Sequence, residues 1–141
     1  IQIDNFTKPK KTTISPKYFD DVIEGMYQVI ENPRGTAHWS KVKGIDICGK
    51  TGTAENPHGQ DHSVFIAFAP KDNPKIAIAV FVENGYWGSR WAGPIATLMI
   101  EKYLNGKTSR PELEKRMFEG SIQDEYDRQL LTEQELAQTK N

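Results

Sequence analysis

The run Gly44-Ile45-Asp46-Ile47-Cys48-Gly49-Lys50-Thr51 satisfies G-x-x-x-x-G-K-[ST], the spacing of a phosphate-cradling loop. That chemistry needs backbone N–H groups curled around phosphates and a helix whose N-terminus faces them. Here β-branched Ile45 and Ile47 alternate as in a strand, and Gly52, Pro57 and Gly59 follow, so no sustained helix can begin. Nucleotide binding is therefore set aside. Read one step along, Lys50-Thr51-Gly52-Thr53 places an ammonium, two hydroxyls and a glycine at a strand end. The ammonium supplies charge, the hydroxyls can orient a carboxylate, and glycine lets a ligand backbone lie against the strand edge. The same four residues would also make an ordinary solvated strand end.

Other candidates are weaker. Ser40-Lys41-Val42-Lys43 matches S-x-x-K, in which one helical turn sets a lysine amine beside a serine nucleophile. Six serines and thirteen lysines in 141 residues make about half such a match by chance, and this one lies between a loop and a strand. It is rejected as a nucleophile. His58 and His62, with Asp61 between them, have the i, i+4 spacing of a metal pair. Pro57 and Gly59 oppose the helix that spacing needs, so a polar loop beside a cleft is preferred and no metal is expected. Cys48 has no upstream histidine suited to be its base and reads as a small packing residue. Tyr86, Trp87 and Trp91 surround Gly85 and Gly88, and either line a groove or pack at a helix start. His38 and Trp39 receive no role.

The elements that must position these groups follow from periodicity. Residues 1–14 read as a stray strand or arm. Residues 15–32 read as a helix, with Ser15 as cap, Pro16 in the first turn, and a stripe of Tyr18, Phe19, Val22, Ile23, Met26, Val29 and Ile30. Asn32-Pro33-Arg34-Gly35 stops it. Residues 42–53, 63–69 and 75–83 read as strands. The last two are joined by Pro70-Lys71-Asp72-Asn73-Pro74, too short for a parallel crossover, and must form an antiparallel hairpin. Their near-continuous apolarity implies helices on both sheet faces. Residues 89–105 read as a second helix, capped by Ser89, with Pro94 marking its first turn and Gly106 ending it. Residues 107–141, with six basic and eight acidic side chains, read as an appended helical tail that packs loosely or frays.

Composition bounds the rest. At 141 residues the chain fits one domain with a core, and its net charge of -1 opposes a general nucleic-acid surface. No apolar run reaches the roughly 18 residues of a membrane span, and one cysteine excludes an internal disulfide. The chain opens on Ile1 rather than Met, which suggests a piece of something longer.

With its flanks, the Lys50–Thr53 run resembles the K-T-G signature of the penicillin-recognising serine enzymes. Arg34-Gly35-Thr36-Ala37, Cys48 through Asn56, His62 through Pro70, Val82-Glu83-Asn84-Gly85 and Ala92-Gly93-Pro94-Ile95-Ala96 resemble the closing third of a class B penicillin-binding protein. Within that class the likeness is greatest to the penicillin-binding protein 2 group, the D,D-transpeptidases of cell elongation, and it covers about residues 15–105. The resemblance implies an α/β (α+β) fold, an antiparallel sheet covered by helices on both faces. That is part of the penicillin-binding transpeptidase and serine β-lactamase-like fold, occupying 1–106, with 107–141 as the tail. It implies that Lys50 helps set protonation states at the serine site and that Thr51 and Thr53 hold the substrate carboxylate. Gly52 belongs to the same substrate strand, and the Thr53 N–H is one of two oxyanion donors.

The other two boxes of the family are missing, because Ser40 is rejected and no S-x-N occurs. The chain alone is therefore expected to be inactive. Its parent is expected to cross-link peptidoglycan stem peptides through a serine acyl-enzyme, to be acylated by β-lactams, and to need no cofactor. An N-terminal anchor absent from this sequence would hold the parent in the bacterial inner membrane with its catalytic domain on the outer side. Other cell-elongation proteins are implied partners, and the open sheet edge suggests a dimer or swap of the chain. The rival reading is a non-catalytic interaction module of the same fold.

Overall fold

The computed structural model describes residues 11–138; the proposed arm at 1–14 lies mostly outside them. A single turn of 3-10 helix, Pro16–Tyr18, leads into α1, Phe19–Glu31. The strands are β1 (Cys48–Ala54), β2 (His62–Ala69) and β3 (Ile76–Val82). They are followed by helices α2 (Ala92–Asn105), α3 (Pro111–Glu119) and α4 (Ile122–Gln138). The strands form one antiparallel sheet in the order β1-β2-β3, with Lys50 opposite Ile66 and Phe65 opposite Val80. The expected hairpin of β2 and β3 is present, and β1 is an edge strand.

Residues paired directly across the ladder share a face, so Phe65, Ala67, Ile78 and Val80 lie together. Phe65 and Ala67 meet Ile30 of α1, Ala92, Ala96 and Ile100 of α2, and Val42, Ile45 and Ile47 in one core. Burying a side chain the size of Phe65 or Ile30 is worth about 1.5–3 kcal/mol. The helical cover is uneven: α1 packs along β1, and α2 crosses β2 and β3. The alternate residues Ile66, Ala77, Ala79 and Phe81 stay exposed. A continuous apolar run shows that both faces are apolar, but does not say which of them the described helices cover.

Three boundaries differ from the sequence reading. Residues 42–47 are buried at Val42, Ile45 and Ile47 yet form no strand. The Ile45 N–H closes a turn onto the Val42 carbonyl, and Gly44 takes a left-handed φ of 80°. Alternating burial therefore comes here from a chain wrapping the core, and regular pairing starts only at Cys48. Ser15 makes no capping hydrogen bond, because the 3-10 turn intervenes before α1. Ser89 does not cap α2, which begins three residues later, with Trp91 at its N-cap. Gly106 does end α2 in the left-handed conformation, at φ 74°, where a side chain would be disfavoured.

Residues 109–126 of the tail are held by specific contacts. Arg110, just before α3, donates to Glu101 Oε2 of α2 (3.0 Å), to the Ser40 carbonyl (3.2 Å) and to Thr97 Oγ1 (3.2 Å). Ser109 adds bonds to Glu101 Oε1 from its N–H (2.9 Å) and its hydroxyl (2.5 Å). Glu101 is 1% exposed. Burial pushes its carboxyl up, but the Ser109 and Arg110 hydrogen bonds prevail and hold it below the ordinary range. A sequence poor in branched apolar residues can thus be fastened by a buried ion pair and its hydrogen bonds.

Candidate active site

All four residues of the Lys50–Thr53 run lie on the edge strand β1, with Lys50 and Thr53 exposed and Thr51 and Gly52 half-buried. Strand alternation divides them. Lys50 and Gly52 share a face with Ile66 and Val64, while Thr51 and Thr53 share the other with Phe65 and Ser63. The Lys50 ammonium donates to the adjacent Thr51 carbonyl (2.7 Å). The Thr51 hydroxyl pairs at 3.0 Å with that of Thr36, in the segment between α1 and β1. A ligand that meets the ammonium and both hydroxyls must therefore lie along the outer edge of β1, where both faces are reached.

Behind this strand runs the loop from β3 to α2. Ser63 Oγ donates to the Trp87 carbonyl (2.9 Å) and accepts from the Ala92 N–H (3.1 Å), tying the loop to β2. Gly88 is pressed against the strands: a Cβ there would fall 2.2 Å from the Val64 carbonyl oxygen and 2.7 Å from that of Gly52. Only glycine permits that approach. Tyr86 and Trp87 stack edge-on (4.9 Å between centroids) and, with Trp91, line a small cavity against α4. Sequence reasoning missed Thr36 and Ser63 as supports, since a lone hydroxyl carries no periodic signal. Gly88 was visible only as one of two glycines among aromatics.

The alternative groups take other places. Ser40 is fully buried in a short 3-10 turn, its hydroxyl packed beside Gly93, and Lys41 is spent on Glu31 at 2.5 Å. No substrate carbonyl can reach that serine. Cys48 is fully buried, and burial pushes its thiol up, away from thiolate chemistry. His62 Nδ1 accepts the Asn84 N–H (3.0 Å) while its ring packs on Phe81, so that nitrogen is occupied. β1 continues as a strand through Ala54, so no helix follows Lys50 and the phosphate-loop geometry is absent.

Residues 3–101 match the model of the penicillin binding protein transpeptidase domain. The chain belongs to this family. A peptidoglycan D,D-transpeptidase, MrdA, from Haemophilus influenzae is 35% identical to it over 107 residues, 64% of the chain and 16% of that relative. Peptidoglycan D,D-transpeptidase PbpA of Mycobacterium tuberculosis is 44% identical over 77 residues, 47% of the chain and 15% of that protein. Among solved structures, Pseudomonas aeruginosa PBP2 in complex with WCK 5153 superposes with a TM-score of 0.61 at 38% identity. That alignment covers 72% of the chain and 23% of that structure. The imipenem acyl-enzyme complex of penicillin-binding protein A from M. tuberculosis gives 0.57 at 35% identity, covering 67% of the chain and 21% of the other. The match of this transpeptidase-family chain thus spans 15–16% of the length of these two relatives. No described helix is long and apolar enough to cross a membrane.

Proposed function

We propose that residues 1–106 supply the substrate-binding edge of a peptidoglycan D,D-transpeptidase, with 107–141 as an appended helical segment. The observation that carries this is the family's Lys50-Thr51-Gly52-Thr53 run on an exposed edge strand, backed by glycine-to-strand packing. In this reading a serine outside residues 1–141 attacks the penultimate carbonyl of a D-Ala-D-Ala stem. The serine Oγ–C bond forms, the C–N bond to the terminal D-Ala breaks, and that D-Ala leaves with a proton. The amine of a neighbouring stem then attacks the ester, forms the cross-link and releases the serine.

Each residue of the strand has a physical task. Lys50, positively charged and unburied, favours the deprotonated nucleophile and steadies its partners. Thr51 and Thr53 donate hydroxyls to the terminal carboxylate of the stem or of a β-lactam. The Thr53 N–H donates to the developing oxyanion, a kind of contact worth about 3–4 kcal/mol of barrier. Gly52 leaves room for a backbone laid along the edge. The enzyme is placed at the bacterial inner membrane, facing outward through an anchor outside this sequence, and alongside other elongation proteins.

Fluorescent penicillin tests this. The intact protein is expected to take a covalent label that Thr53→Pro, which removes the N–H donor, greatly diminishes. An intact protein that folds but never labels would favour the non-catalytic interaction module instead.

A further inference from the structure

Two consecutive residues of α4, beyond the matched residues 3–101, grip the loop between β3 and α2. Glu125 accepts hydrogen bonds from Arg90 Nε and from the indole N–H of Trp91 (3.2 Å), with Arg116 3.6 Å from its other oxygen. Tyr126 donates its hydroxyl to the Asn84 carbonyl. Both ends of the Asn84–Trp91 loop are therefore held by one turn of one helix. Arg116 of α3 strengthens the grip, lying over the Trp91 ring (5.7 Å) and donating to the Arg90 carbonyl (3.1 Å).

This loop needs holding. Asn84 and Tyr86 adopt φ of 56° and 61°, a region that side chains rarely occupy unless their surroundings fix it. Its middle, Gly88, meets the catalytic-edge strand backbone to backbone, its Cβ position 3.0 Å from the Gly52 nitrogen. No side chain lies between them to absorb a shift. Displacing the loop thus removes the support directly behind Gly52, one residue from the Thr53 N–H.

We propose that α4 is a positioning clamp for the edge strand. Glu125 and Tyr126 hold the Asn84–Trp91 loop, Gly88 buttresses Gly52, and the strand presents Thr53 in register. They are positioning residues: neither touches the substrate. The proposal rests on the transpeptidase reading of the Lys50–Thr53 strand and assigns a task to a segment outside the family match.

The test uses the intact transpeptidase that contains these residues. Glu125→Ala and Tyr126→Phe are each expected to slow the chemical step of penicillin acylation about tenfold, since misplacement by an ångström can cost about a hundredfold. Initial penicillin binding should weaken too, because Thr53 also holds the carboxylate, but by less than the chemical step slows. Amide hydrogen exchange should rise across Lys50–Ala54 and stay unchanged across Ala77–Val80. Glu125→Gln keeps an acceptor for Trp91 and should recover most of the rate. Tyr126→Phe deletes one hydroxyl, so it reads the clamp even where Glu125→Ala fails to fold. Unchanged acylation and exchange in the variants that fold overturns the proposal. So does a slowdown that glutamine does not rescue, with exchange rising evenly over the sheet, because α4 would then only add general stability. A wild-type enzyme that takes no label contradicts the transpeptidase reading instead, and the exchange measurement still decides the clamp.

Discussion

Two polar clusters in this chain use similar side chains to opposite ends. On the edge strand, Lys50 and Thr53 are exposed, and the Lys50 ammonium makes one hydrogen bond, to the adjacent Thr51 carbonyl. Under α2, Glu101 is 1% exposed and accepts three hydrogen bonds, while Arg110 donates to three acceptors drawn from the Ser40–Lys41 turn and α2. Only Ser40 Oγ and Arg110 Nη2 lack partners among the described buried groups. Both belong to this cluster, so it is not fully satisfied, but its charged groups are paired with each other and turned inward, and that pairing fastens the fold. Polar groups left with spare capacity on a rigid, half-supported strand are available to a ligand.

The comparison breaks if the roles can be exchanged by mutation. The largest expected effect is at the knot. Glu101→Ala leaves Arg110 enclosed without its carboxylate and should cost about 3–5 kcal/mol, read as a lower denaturant midpoint of the intact protein. Lys50→Ala should do the reverse. Its unfolding midpoint should stay within about 0.5 kcal/mol of wild type, while penicillin acylation slows about a hundredfold or more. A smaller effect is expected at the support: Thr36→Val removes one hydrogen bond to Thr51, worth about 1 kcal/mol, or roughly fivefold in acylation efficiency. The smallest sharpens the knot by pH. Glu101 titrates below its unfolded value of about 4.3, so its contribution is complete above that value and is lost as pH falls through the lowered folded value. Glu101→Gln should therefore show a flatter acid limb in a pH series of unfolding midpoints.

Much of this arrangement was legible in the residues. Helix α1 was visible from its Val22–Ile30 stripe, and the β2–β3 hairpin from two apolar runs joined by Pro70–Pro74. The start of β1 was not, because buried Val42, Ile45 and Ile47 alternate while the Gly44 turn keeps them out of the ladder. The Lys50–Thr53 run was found by type and spacing, but its division between two strand faces depends on the register with β2. The tail misled for a different reason. Hydrophobic patterning reports apolar burial, whereas α3 and α4 are fastened by Arg110, Glu125 and Tyr126, whose partners lie 9 to 70 residues away in sequence. Contacts of that kind leave no periodic trace.

The Lys50–Thr53 edge is proposed to serve a serine outside residues 1–141. Peptide mapping of the intact protein after reaction with a labelled penicillin tests it most directly. The expected result is an adduct on a serine outside this sequence, formed far more slowly in Lys50→Ala. An adduct on Ser40, or one outside the chain that forms as fast without Lys50, would contradict it.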